Sequence, residues 1–373
     1  MTLAAAREDG PVPLDRRVVT ILDELRDEYR QPHAFPWIIG FSGGKDSTLL
    51  AQLVFEMLLS LPPRQRTRAV HLVANDTLVE SPIIARHLDA VLQRIESALQ
   101  PLRLPVTVAR TVPDPDQTFW VNLIGRGYPS PSRMFRWCTD RMKIAPTTRY
   151  VRDQVDETGR VIMLLGVRAE ESAQRAVSVF RYRNAGERLN QHNSLQGCMV
   201  YKPIVDLSTD EVWQILLQSP PPWGGSHREL VTIYRNAAGG ECPLVTDRSE
   251  APSCGTKSSR FGCWTCTVVE KDRSAEAFVD AGYGDLEPLL ALRDWLKEIR
   301  EDNSRRSPRR RNGSLNFVGD GRLIPGPFTL AARMEILERL LDTQDEVGFE
   351  LISAGEIEII RRQWALDATG AHL

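Results

Sequence analysis

Trp37-Ile38-Ile39-Gly40-Phe41-Ser42-Gly43-Gly44-Lys45-Asp46-Ser47-Thr48 passes within one short stretch from apolar residues to glycine, hydroxyl and charge, and the rest of the chain is placed relative to it. The apolar opening predicts a buried strand, and Thr48 to Leu59 carries an apolar face at helical spacing. Two glycines between them let the backbone approach a ligand where a Cβ would block it. The free amides of the following helix then point at that ligand, and the helix dipole favours an anion there. Ser42 and Ser47 add hydroxyls, Lys45 adds positive charge, and Asp46 offers a carboxylate for Mg2+. Ser42, Gly43, Gly44, Lys45, Asp46 and Ser47 therefore read as a phosphate cradle. The plainer reading is a glycine-rich strand-to-helix turn.

The cradle is not a Walker A loop, which needs Gly, four residues, then Gly-Lys-Ser/Thr; here Gly40 and Gly44 are three residues apart and Asp46 follows Lys45. No G-x-G-x-x-G dinucleotide fingerprint accompanies it. Ser-Gly-Gly-x-Asp-Ser instead resembles the PP-loop of enzymes that cleave ATP between its α and β phosphates.

The 373 residues carry 47 basic and 49 acidic side chains, a net charge of −2, so the average charge gives no nucleic-acid footprint. The charge is uneven, with Arg305, Arg306, Arg309, Arg310 and Arg311 in one run that also holds Ser, Pro, Asn and Gly and reads as an exposed loop. Such a loop can meet DNA phosphates or simply stay solvated. The first residues lack the apolar core of a signal peptide, and no stretch approaches the ~20 apolar residues of a membrane span. A cytoplasmic location without membrane contact is expected, and six cysteines there suggest metal or sulfur chemistry before disulfides.

Residues 14–30 read as an amphipathic helix. Strands are expected at 68–74, 104–112, 161–167 and 199–205, with a helix over 82–99. Strands alternating with helices predict an α/β fold, a parallel sheet with helices on both faces. Ligands of such sheets sit beyond the carboxyl ends of the strands, which would bring the Asn75-Asp76-Thr77 turn, and Asp76 as a cofactor contact, to the cradle. Ser208-Thr209-Asp210-Glu211 has the capping-box pattern of a helix start. Ser219 to Gly225, rich in Pro and Gly, suggests a boundary. The expected organisation is a nucleotide domain over 1–220, a cysteine-rich segment over 221–283 and a helical C-terminal region over 284–373, with helices at 284–301, 328–345 and 355–365.

Cys242, Cys254, Cys263 and Cys266 follow Cys-x11-Cys-x8-Cys-x2-Cys, with turn-forming residues interspersed. Four thiolates suit structural zinc or an iron–sulfur cluster, and spacing does not separate the two. Dithiol chemistry at Cys263 and Cys266 is a third reading. Cys138 stands among Arg136, Arg141 and Lys143, cations that would lower a thiol pKa; the plainer reading is an inert buried cysteine. Cys198 opens an apolar strand and reads as structural. In Gly166-Val167-Arg168-Ala169-Glu170-Glu171, Arg168, with Arg175 beyond it, can clamp phosphate oxygens, with Glu171 to orient one of them.

Six stretches in one order resemble the DndC family of DNA phosphorothioation sulfurtransferases, relatives of phosphoadenosine phosphosulfate reductases. They are Phe41–Thr48, Asn75–Glu80, Arg136–Arg141, Gly166–Ser172, Leu207–Trp213 and Phe261–Lys271. The resemblance covers about residues 20–275. It implies a fold of the adenine nucleotide alpha hydrolase-like, PP-loop type and an ATP pyrophosphatase with a [4Fe–4S] cluster on Cys242, Cys254, Cys263 and Cys266. It further implies work with a cysteine desulfurase and other Dnd-type modification proteins to replace a non-bridging DNA phosphate oxygen with sulfur. Catalysis would then fall to Lys45, Asp46, Arg168 and Cys138, with ATP and Mg2+ in the cradle. Related adenylylsulfate reductases place a Cys-Cys pair where this chain has Trp137-Cys138. Those reductases also use a reactive C-terminal cysteine, and no cysteine follows Cys266 here. Three alternative readings stay open: an assimilatory adenylylsulfate or phosphoadenylylsulfate reductase, a PP-loop tRNA thiolation enzyme, and a scaffold that binds nucleotide and metal without catalysis.

Overall fold

A computed structural model describes residues 13–171, 188–237, 262–319 and 321–369. The chain divides into two compact units, one of residues 1–74, 89–109 and 151–230, the other of 75–88, 110–150 and 231–373. These limits do not follow the sequential boundaries at 220 and 283. Residues 75–88 and 110–150 supply Val79, Phe119, Trp120 and Ile124 to the core of the second unit, so burial rather than chain order groups them.

The elements in chain order are α1 (Leu14–Tyr29), β1 (Trp37–Gly40), α2 (Lys45–Ser60), β2 (Val70–Asn75), α3 (Pro82–Leu102), β3 (Val106–Thr111), α4 (Ala145–Thr158) and β4 (Val161–Leu164). They continue with β5 (Asn190–Gln191), β6 (Cys198–Tyr201), α5 (Thr209–Gln218), α6 (Arg228–Asn236), α7 (Arg273–Asp280), α8 (Glu287–Glu301), α9 (Leu330–Val347) and α10 (Ala354–Ala368). The sheet has the order β3-β2-β1-β4-β6-β5. Strands β1, β2, β4 and β6 run parallel, and β5 is an antiparallel edge. The α/β fold with a mostly parallel sheet flanked by helices is thus as expected.

In the first unit the order reverses beside β1. The chain moves outward through β2 to β3, then returns to place β4 on the other side of β1, with Ile39 opposite Leu164. The loops leaving β1 and β4 therefore emerge side by side at the switch point, where open α/β sheets form their ligand crevices. Strand β1 has Trp37, Ile38 and Ile39 buried, as a central parallel strand covered on both faces requires. Helix α2 is buried along most of its circumference, from Lys45 through Leu58. It starts at Lys45 rather than Thr48, because Gly44 serves as its N-cap and continues straight from the turn. Arg68 closes the end of α1, donating to the carbonyls of Tyr29, Gln31 and Phe35. The capping box of Ser208 and Glu211 opens α5 as expected.

The second unit is built on a core that includes Phe119, Trp120, Trp137, Trp264 and Phe328. Single π-helical turns at Val121–Gly125 and Thr139–Ile144 interrupt the helical stretches of residues 110–150. The arginine run is less exposed than its composition suggested. Arg305 pairs with Asp302 and Glu335, and Arg306 donates to the carbonyls of Arg300, Pro325 and Gly326. Arg311 donates to Asp367 and to the carbonyl of Arg126. Only Arg309 and Arg310 of the five face open solvent, so three of the expected DNA contacts are engaged in holding the loop.

Candidate functional site

The cradle lies in the first unit, and its shape follows from local constraints. Gly43 adopts φ +72°, a left-handed conformation that a side chain would strain. The chain thereby turns sharply enough for Ser42 and Ser47 to meet. The Ser42 amide donates to Ser47 Oγ at 3.2 Å, the two hydroxyls stand 3.1 Å apart, and Ser47 Oγ donates to the Gly44 carbonyl at 3.0 Å. No side chain caps the first turn of α2, which leaves its amide end available to an anion. Lys45 is buried, with Nζ 3.3 Å from Asp46 Oδ2.

Asp46 is the pivot of the site. Its Oδ1 accepts from Arg168 Nε at 2.6 Å, so each carboxylate oxygen faces a cation. Arg168, only 1% exposed, also donates to Glu170 Oε2 at 3.3 Å, to the Leu207 carbonyl at 3.3 Å and to Thr209 Oγ1 at 2.9 Å. Glu170 in turn accepts from the Thr209 amide at 2.7 Å. Four of the five donors of the guanidinium are therefore occupied. A bidentate grip on phosphate, expected from sequence, is not open to Arg168 in this arrangement. It ties the cradle to the start of α5 instead. Glu170 orients it; the Glu171 side chain and Arg175, expected from sequence to take part, lie outside the described residues. Each Asp46 oxygen keeps a second acceptor site, but an Mg2+ there would stand beside the charges of Arg168 and Lys45, so the donor set as arranged does not favour that ion.

Strand β4 ends at Leu164, before the expected 167, because the chain must leave the sheet to lie against α2. A Cβ added to Gly166 would stand 2.9 Å from both the carbonyl carbon and oxygen of Asp46 and 3.1 Å from the Ser47 amide. Only glycine allows that approach. β6 likewise stops at Tyr201 rather than 205.

The remaining sequence-predicted residues that are described lie in the second unit. Asp76 accepts from the Leu78 amide at 2.8 Å, forming a local turn that holds Leu78 at φ +63°. Its amide donates to the Thr111 carbonyl at 2.9 Å. Cys263 and Cys266 share one turn, closed by the Cys266 amide on the Cys263 carbonyl at 3.1 Å. The turn is fixed on one side by Ser81 and Val79, which bond the backbone of Gly262 and Trp264 at 3.1 and 3.0 Å. On the other side the fully buried Arg293 donates to the carbonyls of Cys266, Val269 and Glu270. Thr77 Oγ1 is 3.3 Å from Cys263 Sγ and donates to Glu80, whose carboxylate is 3.8 Å from Lys143 Nζ.

Burial, reinforced by Glu80, pushes the Cys263 thiol up to about 12, while Lys143 pulls it down. For Lys143 burial works to lower the ammonium, but Cys263, Glu80, Cys138 and Cys266 together hold it above its ordinary value. Cys138 is raised, chiefly by burial and next by Cys266, so the expected low-pKa thiolate is corrected. Arg141, one of its flanking cations, is drawn away to Gln117 and Tyr128. Cys198, buried in β6, is pushed up to about 11, in keeping with a structural role.

Cys242 and Cys254 lie outside the described residues, and among the described ones no three His, Cys, Asp or Glu stand close enough to hold a metal ion. The part of the set that is described fits a thiolate-bound group: two sulfurs on one braced turn, with a lysine at hand to offset negative charge. Sequence reading missed Gly166, Glu170, Thr209 and Arg293. Of these, Gly166, Glu170 and Thr209 lay inside motifs singled out in the sequence, whereas no local signal marked Arg293.

The phosphoadenosine phosphosulfate reductase domain family matches residues 36–269. None of the curated proteins matches the chain in sequence. Among solved structures, a phosphoadenylyl-sulfate reductase from Candida auris is 12% identical, with a TM-score of 0.34 over 58% of this chain and 89% of that one. The U34-tRNA thiolase NcsA from Methanococcus maripaludis, solved with its [4Fe-4S] cluster, is also 12% identical, with a TM-score of 0.32 over 70% of this chain and 94% of that one. An FMN adenylyltransferase from Candida glabrata is 9% identical, with a TM-score of 0.32 over 58% and 60%. At such identities and scores these likenesses assign no activity.

Proposed function

The chain belongs to the phosphoadenosine phosphosulfate reductase domain family, and from that premise we propose that it is an ATP-dependent sulfurtransferase that places sulfur in the DNA backbone. The observation that carries the reading is the cradle at the switch point, with Gly43 left-handed, an uncapped helix start and Lys45 held by Asp46. The resemblance of six stretches to the DndC family directs the reading to DNA.

A non-bridging phosphate oxygen is not a leaving group at neutral pH. In the proposed sequence it attacks the α-phosphorus of ATP, the bond to the β-phosphate oxygen breaks, and pyrophosphate leaves. Hydrosulfide then attacks the DNA phosphorus, and the original oxygen departs with AMP. The amides after β1, the hydroxyls of Ser42 and Ser47 and the ammonium of Lys45 stabilise charge gathering on the departing pyrophosphate. Asp46 keeps Lys45 in place and, through Arg168, fixes the first turn of α2. No step is assigned to Mg2+, which the cations beside Asp46 disfavour.

Cys242, Cys254, Cys263 and Cys266 would hold the [4Fe–4S] cluster that the resemblance implies. When bound, such a group supplies iron able to take up sulfur or pass electrons. Cys138, a raised thiol, is assigned to sulfur handling, and a cysteine desulfurase would be the sulfur source, its persulfide cleaved to hydrosulfide by a dithiol that is oxidised to the disulfide.

The test is incubation of the full chain with ATP, DNA, cysteine, a purified cysteine desulfurase and dithiothreitol as the reductant. AMP and pyrophosphate are expected, with nuclease-resistant dinucleotides carrying sulfur, and Lys45→Ala should abolish both. Production of ADP and orthophosphate would overturn the reading. So would sulfite release from phosphoadenylyl sulfate without sulfur entering DNA, an outcome that assigns the chain to reduction.

A further inference from the structure

Three of the five arginines that stand out in the sequence, Arg305, Arg306 and Arg311, are held within the fold, and two less conspicuous ones elsewhere are not. Arg133 and Arg136 are exposed, and their side chains have no hydrogen-bond or ion-pair partner among the described residues. Between them stand Met134, 95% exposed, and Phe135, 44% exposed. Cation, apolar chain, aromatic ring and cation thus follow one another at the tip of a loop in the second unit.

The loop is braced. Ser132 and Phe135 exchange backbone hydrogen bonds, both at 3.2 Å. The Pro131 carbonyl accepts from the Thr267 hydroxyl and from Arg300, each at 2.7 Å. Ser130 Oγ donates to the Leu296 carbonyl at 2.9 Å, and the buried Trp137 donates from its indole to the Pro129 carbonyl at 2.9 Å. A tip held this way orders little further on binding, which lowers the entropy cost of association.

Resting on the reading of DNA as substrate, we propose that Arg133-Met134-Phe135-Arg136 is a DNA-binding wedge, the guanidiniums on phosphates and the Met134 and Phe135 side chains against base faces. Guanidinium forks match phosphate oxygens, apolar wedges enter between base steps, and aromatic rings stack on bases of any sequence. Four residues are far short of the ~800 Å2 per partner of a stable protein interface. Self-association through the tip would set like charges against each other.

The experiment measures binding of the full chain to a fluorescein-labelled oligodeoxynucleotide, single-stranded and duplex, by anisotropy across salt concentrations. Arg133→Ala with Arg136→Ala should reduce the salt slope by about 1.4 for the single strand and about 1.8 for the duplex. Met134→Ala and Phe135→Ala, made separately, should each weaken binding at least about fivefold at unchanged slope. Arg309→Ala with Arg310→Ala should alter neither. Because Met134 is almost wholly in water, its variant must also keep the parent urea midpoint, so a folding defect cannot imitate the effect. Tip variants that bind DNA as the parent does would overturn the wedge. Normal DNA binding with lost capture of the cysteine desulfurase, or with a changed oligomeric state, would overturn it too and assign the tip to a protein. Sulfur insertion assayed on the same samples separates the two readings. Insertion with unaffected tip variants removes only the wedge, whereas tip-dependent binding without insertion removes only the sulfur-transfer reading.

Discussion

Replacing Gly166 by alanine puts the proposed cradle geometry under direct strain. The added Cβ would sit 2.9 Å from the backbone carbon and oxygen of Asp46, where carbon contacts settle at about 3.5 Å or beyond. Both obstacles are backbone atoms of a buried helix, so no side-chain rotation relieves them. The link from β4 and the first turn of α2 must separate by roughly 0.6 Å. Overpacking of this kind costs about 1–3 kcal/mol, to be read as a lower urea midpoint at unchanged m-value. Since a 1 Å misplacement costs about a hundredfold in rate, this shift should slow pyrophosphate release from ATP by about tenfold. Gly159→Ala is the control: its φ of +79° penalises a side chain, but nothing lies within 4 Å, so it should lower stability and spare turnover. A Gly166→Ala chain with parental stability and parental pyrophosphate release would refute the claim that this close approach sets the cradle.

Arg168→Lys should behave as a severe change, because one ammonium cannot serve Asp46, Glu170, the Leu207 carbonyl and Thr209 at once; a loss of about 2 kcal/mol or more is expected in urea unfolding. Arg293→Leu leaves the carbonyls of Cys266 and Val269 without their donor, while Glu270 keeps Lys297, so a loss of about 3 kcal/mol is expected. Iron and zinc content of the anaerobically purified variant should fall with it, and parental metal content would show that the turn does not need Arg293. Burial raises the Cys198 thiol from 9.0 to about 11, so the folded form prefers it neutral; that preference contributes fully below pH 9 and is lost as pH rises toward 11. The stability gap between the parent and Cys198→Ala should therefore be flat below pH 9 and shrink above it, by up to about 3 kcal/mol.

The parts of the fold legible in sequence were those that local chemistry dictates. The strand–turn–helix around Ser42 to Ser47 announced itself because glycine, hydroxyl and apolar spacing act over adjacent residues. The capping box at Ser208 was readable for the same reason. Partnerships across long separations were not. Arg168 looked like a phosphate clamp because nothing near it in the chain shows that Asp46, more than a hundred residues away, takes up its Nε. Arg305, Arg306 and Arg311 looked solvated because their carboxylates and carbonyls come from other segments. Cys138 shows the same limit in reverse: Arg141, a cation beside it in sequence, is engaged elsewhere, and burial sets its behaviour. The strands at 161–167 and 199–205 came out shorter because apolar residues continue past the last ladder bond into packed loops.

The two compact units are woven from alternating segments, and that has a consequence for how the protein is made. A ribosome that has reached residue 230 has already released every stretch of the sheet-bearing unit, while the other still waits for residues 231–373. Trimming therefore acts unequally on the two. A gene cut after 230 retains every segment of the sheet-bearing unit, but no single continuous excerpt supplies the other unit without taking parts of its companion along.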